Sequence, residues 1–265
     1  MTVKRGRVKG PHGAGPHRAA GFSGSARKTK RYGWIPDLPD QRDFTYAVSA
    51  PVANIPSSVD LRDKCPPVYD QGQLGSCTAN AIAGALEFEM MKQGLNAFIP
   101  SRLFIYYNER AMEGTIPTDA GAMIRDGIKS VANQGDCPEG NVGDPPPAWP
   151  YDIGKFAVQP AQACFDKAKD LKAVSYHSVT QNLADMKGCL AEGYPFVFGF
   201  TVYESFESAD VAKTGNVPMP KAAEQVLGGH AVLAVGYDDD ERVFICRNSW
   251  GDAWGDAGYF YMPYA

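Results

Sequence analysis

The chain has 265 residues, 44% of them hydrophobic and 21% charged, enough for one substantial core or two small ones, which excludes a disordered chain. Its longest apolar runs, Phe196 to Phe200 and Ala231 to Val235, fall far short of the ~18 residues that cross a bilayer as a helix, so no membrane span is expected. The net charge of −4 averages two unlike parts: residues 1–31 carry nine Lys and Arg and no acid, whereas residues 32–265 carry 17 basic against 30 acidic side chains, a net of −13.

The basic stretch has no apolar core of the kind a secretory signal needs after its charges. A cytoplasmic location is the default expectation. Residues 1–31 are predicted to form a disordered basic tail, whose clustered Lys and Arg suit contact with an anionic surface or a nucleic acid. Residues 32–54 mix aromatics, prolines and acids without helical or strand period, and each X-Pro step favours extended backbone. That segment is predicted to run along a surface without forming an element of its own.

From about Ile55 the texture changes. Helical spacing of Ile82, Leu86 and Met90 predicts a helix over Cys77 to Gln93, with Ser76 as N-cap and Gly94 as the stop. A second helix is predicted from Ser101 to about Met112, and a third from about Gly121 to Ala132, where Met123, Ile124, Ile128 and Val131 form one apolar face. Prolines and glycines between Gly135 and Pro160 mark an irregular connection and a boundary. Beyond it, helices are predicted near Gln162 to Leu171 and Leu183 to Ala191, the latter capped by Thr180 or Asn182. Strands follow at Phe196 to Tyr203, His230 to Tyr237, Arg242 to Arg247 and Gly258 to Met262. A helical part (about 71–135) and a β-rich part (about 160–265) make the fold class α+β, with two packed subdomains and a cleft between them.

Six cysteines without a CxxC pair do not read as a zinc site, and no residue pattern asks for a metal or cofactor. Two of the four histidines lie in the tail, which leaves His177 and His230 as the body's imidazoles. A thiol opening a helix lies near the positive end of the macrodipole, which favours the reactive thiolate, and Cys77 is so placed. Gly72 and Gly75 before it suit a tight loop with exposed amides, and the Gln71 side chain can donate to the same oxyanion. His230 follows Gly228 and Gly229 at the start of a strand. Asn248 can hold its imidazole in one tautomer, with Trp250 covering that hydrogen bond.

In the order Cys, His, Asn, the blocks QGQLGSC (71–77), GGHAVLAVGY (228–237) and NSWGDAWGDAGY (248–259) resemble those of the papain-like cysteine peptidases. The start IPSSVDLRDK (55–64) is similar to a mature N-terminus of that family, so the resemblance covers residues 55–265. It implies a papain-like fold, a helical subdomain facing a β-barrel-like one across the active-site cleft. The implied activity is that of a cysteine endopeptidase acting on protein or peptide substrates through an acyl-enzyme thioester. Cys77 is then the nucleophile, His230 the base, Asn248 its orienter, and Gln71 with the Cys77 amide the oxyanion hole. The resting pair is expected as thiolate and imidazolium. Gly121 is expected to bond substrate backbone, with Gly75, Gly229 and Trp250 alongside in substrate binding.

Thr78 stands where the family usually has Trp, Leu74 where many members have a disulfide cysteine, and Ala120 replaces a glycine. With WIPDLPDQRD (34–43), these departures make the chain resemble the bacterial branch, xylellain and its relatives, more than lysosomal or plant enzymes. Residues 32–54 are expected to lie extended across the cleft as an intramolecular inhibitor, with Trp34 or Phe44 in an apolar subsite, making the chain a zymogen or self-inhibited form; a monomer is expected. A catalytically silent binding protein, or an acyltransferase or amidase with the same three residues, are the alternative functions.

Overall fold

The computed structural model describes residues 32–40, 44–46, 55–173 and 175–265, so the predicted disordered tail of residues 1–31 lies outside the described residues. In chain order the elements are β1 (Trp34–Ile35), β2 (Ser58–Asp60), α1 (Cys77–Lys92), α2 (Arg102–Glu113), β3 (Ala122–Met123), α3 (Ile124–Asn133), α4 (Gln162–Ala168), α5 (Leu183–Ala191), β4 (Phe196–Tyr203), α6 (Ala209–Thr214), β5 (Val226–Asp238), β6 (Val243–Arg247) and β7 (Tyr259–Pro263). Helices dominate before residue 135 and strands after 195, an α+β arrangement.

The sheet is built around β5. Along its thirteen residues, β4 pairs with the first part and β2 and β6 with the last, all antiparallel, and β7 continues from β6. The strand is apolar on both faces from Ala231 to Val235 because one face meets the aromatic core of the sheet half and the other meets α1. That core gathers Phe206, Tyr237, Phe244, Trp250, Trp254 and Phe260. The helical half has its own core of Ile82, Leu103, Ile105, Tyr106 and Val131. Between the two lies a small cluster of Cys77, Ile124 and Ala231, with Trp34 packed on it.

Helix α1 is buried all round from Cys77 to Gly84, as expected of a helix wedged between a sheet and two other helices. Its start departs from expectation. Ser76 occupies the N-cap position but does not cap; its hydroxyl is 2.5 Å from the Tyr151 hydroxyl, and it accepts from Asn80 Nδ2 at 3.1 Å. Tyr151 belongs to the proline-rich connection, so that irregular stretch props the first turn of α1. Asn182 is the cap of α5, accepting from the Asp185 amide at 2.9 Å.

Beneath this prop lies a buried ion pair. The Arg102 guanidinium makes a fork to Glu139 at 2.7 and 2.8 Å, reaches Asn80 Oδ1 at 3.1 Å, and lies over the Tyr151 ring at 3.9 Å. Removing one member of such a pair strands a charge away from water. Arg102→Ala is therefore expected to lower stability by about 3–5 kcal/mol, read from the midpoint of denaturant unfolding. A change within ~1 kcal/mol would show the pair to be screened as a surface pair is.

Within the leader, residues 32–54, the described parts 32–40 and 44–46 form more than a surface wrap. Trp34–Ile35 pairs in parallel with Ala122–Met123, so Ala122 and Met123, predicted as the first turns of a helix, are strand and α3 begins at Ile124. Residues 37–40 then run beside α3, with the Arg125 amide donating to Asp37 at 3.0 Å and the Arg125 guanidinium to the Leu38 carbonyl. A second attachment joins Phe44 and Tyr46 to Ser178 through two backbone hydrogen bonds of 2.8 Å.

Candidate active site

Residues 69–71 and 249–251 run against each other where the two halves meet. The Gln71 amide donates to the Ser249 carbonyl at 2.8 Å, and the Gly251 amide to the Tyr69 carbonyl at 2.9 Å. This seam sets the loop before α1 beside the loop after β6. Ser249 adds a side-chain link, donating from Oγ to Gln71 Oε1 at 2.6 Å. Gln71, fully buried, gives one amide hydrogen to the Leu74 carbonyl at 2.9 Å and retains the second.

Asn248 sits at the end of the same chain of contacts. Its Oδ1 accepts from the Ser249 amide at 2.9 Å, which fixes that atom as the oxygen, and lies 2.8 Å from His230 Nε2. An acceptor there requires the proton on Nε2. His230 Nδ1 consequently bears the free lone pair, and it has no partner among the described residues. Trp250 stacks on the imidazole with ring centroids 5.0 Å apart, the cover its sequence position suggests.

Cys77 opens α1 and lies against β5 immediately after His230. Backbone amides of Ala231, Gly33 and Thr78 draw its thiol pKa downward. The structure thus brings Cys77, His230, Asn248, Gln71 and Trp250 into one site. Ser249, which couples Gln71 to Asn248, escaped the sequence reading although it sits inside the NSWG block.

The leader lies on this site. Gly33 is so close to Gly75 that a side chain on Gly33 would overlap the Gly75 carbonyl. Trp34 lies on Gly199 and Gly229, each of which would collide with it if it bore a side chain. The edge of Tyr32 approaches His230 at 5.9 Å, and its hydroxyl bonds Glu207. Beside Gly121, expected to bond substrate backbone, the Ala122 amide donates to the Gly33 carbonyl at 2.7 Å, while Gly121, at φ +77°, leaves room for that carbonyl and donates to the Tyr106 hydroxyl at 3.2 Å. The Gly75 amide is held by Asp119 at 3.0 Å. Phe44 is a correction: it is 75% exposed and stands beside His177, because the chain has left the cleft at Asp37 to follow α3.

Burial sets the protonation. Cys77 and His230 are both fully enclosed. Loss of water pushes the Cys77 thiol up to about 11 against the pull of the three amides, and pushes the His230 imidazole down to about 4 against the Asn248 bond. Both effects favour the uncharged partner. The covered site therefore holds a thiol and a neutral imidazole, in place of the thiolate–imidazolium pair expected from the resemblance. Among the described residues no cluster of His, Cys, Asp and Glu is arranged to hold a metal.

The sequence pattern of the papain family cysteine proteases matches residues 55–265. An uncharacterized peptidase C1-like protein of Acanthamoeba polyphaga mimivirus is 44% identical over 262 residues, covering 89% of this chain and 82% of the relative. Among solved structures, xylellain, a cysteine protease from Xylella fastidiosa, has 46% identity and a TM-score of 0.78, covering 88% of this chain and 89% of that one. Digestive procathepsin L 3 of Tenebrio molitor, at 20% identity and a TM-score of 0.61 over 83% of this chain and 67% of that one, shares the fold.

The buried imidazole has a measurable consequence. Its pKa falls from 6.5 unfolded to about 4 folded, so the unfolded state binds the extra proton and stability is full above pH 6.5 and lost as pH falls toward 4. The loss attributable to His230 is about 3 kcal/mol. Unfolding midpoints between pH 7 and 4, compared with His230→Gln, should show the slope shrinking in the variant; equal slopes would contradict a buried neutral imidazole.

Proposed function

The chain belongs to the papain family of cysteine proteases, and from that premise we propose that it hydrolyses peptide bonds at Cys77 and is self-inhibited by its leader. With the cleft open, water and substrate lower the cost of charge at both groups, and His230 Nδ1 takes the thiol proton. The thiolate attacks the scissile carbonyl carbon. The oxyanion that forms is met by the Cys77 amide, at the positive end of α1, and by the free hydrogen of Gln71 Nε2. Imidazolium returns the proton to the departing amine, leaving a thioester. Water, deprotonated by His230, then attacks that thioester and releases the acid, restoring the thiol. Asn248 holds the proton on Nε2 throughout, so every proton taken or returned passes through Nδ1.

The observation that carries the self-inhibition is the Gly33 backbone, its carbonyl held by the Ala122 amide at 2.7 Å, packed against Gly75 two residues before the thiol, with Trp34 on the Cys77 cluster. A backbone held there excludes substrate. It also withholds water from the thiol and imidazole, so the same contact that blocks the site neutralises it. Trp34 anchors the segment on the apolar floor of the cleft, and Tyr32 closes it over the imidazole.

Turnover of a fluorogenic peptide separates the elements of this reading. A chain beginning at Ile55, and a full chain carrying Gly33→Val, should each exceed the unaltered full chain by at least about tenfold, the equivalent of ~1.4 kcal/mol of docking. Equal turnover in all three would sink the self-inhibition. In the open forms His230→Ala should lower turnover roughly 10²–10⁴-fold, the usual contribution of a positioned acid–base. Hydrolysis that survives Cys77→Ala would refute the nucleophile.

A further inference from the structure

Thr78 follows the nucleophile at a position where the family usually carries tryptophan, and no step of the reaction above uses it. Its hydroxyl donates to Glu109 Oε1 at 2.6 Å. Glu109 lies on α2, is wholly buried, and its Oε2 has no partner among the described residues. The carboxyl fills a space that exists because residue 127 on α3 is glycine: a Cβ there would come to 2.5 Å from both Oε2 and Ile82 Cδ1. One carboxyl thus stands at the junction of α1, α2 and α3, directly behind the residue that carries the thiol.

Charge does not explain its presence. The base nearest in sequence, Arg110, spends its guanidinium on the carbonyls of Tyr106, Ile116, Thr118 and Phe156. The other charges felt by Glu109 are Glu113 and Asp126, both acidic. Burial, reinforced by these acids, holds the Glu109 carboxyl well above the usual carboxylate range. That matters for the site, since a charged Glu109 would oppose a thiolate at Cys77. Either form of the carboxyl accepts from the Thr78 hydroxyl at Oε1.

We propose that Glu109 is a positioning residue for the nucleophile: by gripping the Thr78 hydroxyl it fixes the first turn of α1, and with it the Cys77 thiol and the Cys77 amide that meets the oxyanion. This rests on the reading of Cys77 as the nucleophile. Ser76 does not cap the helix, so the first turn is held from outside on two sides. Tyr151 grips Ser76 on one side and Glu109 grips Thr78 on the other, with Cys77 between them.

The test uses the full chain carrying Gly33→Val and reads the rate of Cys77 carboxamidomethylation by iodoacetamide, mapped by mass spectrometry, beside the melting temperature. Thr78→Val and Glu109→Leu should each slow Cys77 by about tenfold, the scale of a misplacement well under 1 Å, while Glu109→Gln, which keeps a carbonyl acceptor, restores the parental rate. The pair Thr78→Val with Glu109→Leu removes both polar partners, so its melting temperature should recover. Its Cys77 should stay slow. If labelling recovers together with stability, or if the single variants lower the melting temperature without slowing Cys77, the positioning role is overturned. If Cys77 in the parent reacts no faster than Cys65, or ignores His230→Ala, the nucleophile reading itself fails and takes the proposal with it.

Discussion

Three backbone residues on each side of the seam, 69–71 against 249–251, hold the two halves of this protein in the relation on which its chemistry depends. The helical half supplies the thiol and the Gln71 amide; the sheet half supplies His230 and Asn248. Neither half contains a site alone. The two amide–carbonyl bonds of the seam, with the Ser249 hydroxyl on Gln71, turn the packing of two cores into a fixed geometry between four side chains. Buried hydrogen bonds suit this task because leaving any of them unmade costs more than its net contribution to stability, so the seam tolerates little slippage.

The leader exploits the same meeting point. There the Ala122 amide binds the Gly33 carbonyl at 2.7 Å. Glycine at 33, 75, 199 and 229 lets backbone and indole approach closely. Desolvation follows, with Cys77 and His230 both fully buried. It shifts thiol and imidazole in opposite directions, each toward its neutral form.

Much of this was legible in the sequence, and the exceptions share a cause. The helix opening at Cys77, the strand after His230 and the cap at Asn182 follow from local spacing and capping chemistry. The grouping of Cys77, His230, Asn248 and Gln71 follows from three motif blocks. What local reasoning missed depends on residues far apart in the chain. Ala122 and Met123 carry a helical pattern, yet they are strand because Trp34 and Ile35 lie beside them. Ser76 has the right chemistry for a cap but is claimed by Tyr151, 75 residues away. Phe44 is as apolar as Trp34, and only the path of residues 37–40 along α3 decides which of the two reaches the cleft. Thr78 is visible as an unusual neighbour of the nucleophile, but its partner Glu109 is one of 30 acidic residues and nothing local distinguishes it.

The central claim is that the segment around Gly33 and Trp34 both covers the Cys77 site and keeps it uncharged. Nitrogen-15 NMR of the imidazoles tests it most directly, because the two ring nitrogens report tautomer and charge separately. In the unaltered full chain His230 should remain neutral, with its proton on Nε2, as the pH is lowered through 6 toward about 4, and in the chain carrying Gly33→Val it should become imidazolium near neutral pH. A charged His230 at pH 7 in the unaltered chain, or identical titrations in the two proteins, would contradict the account.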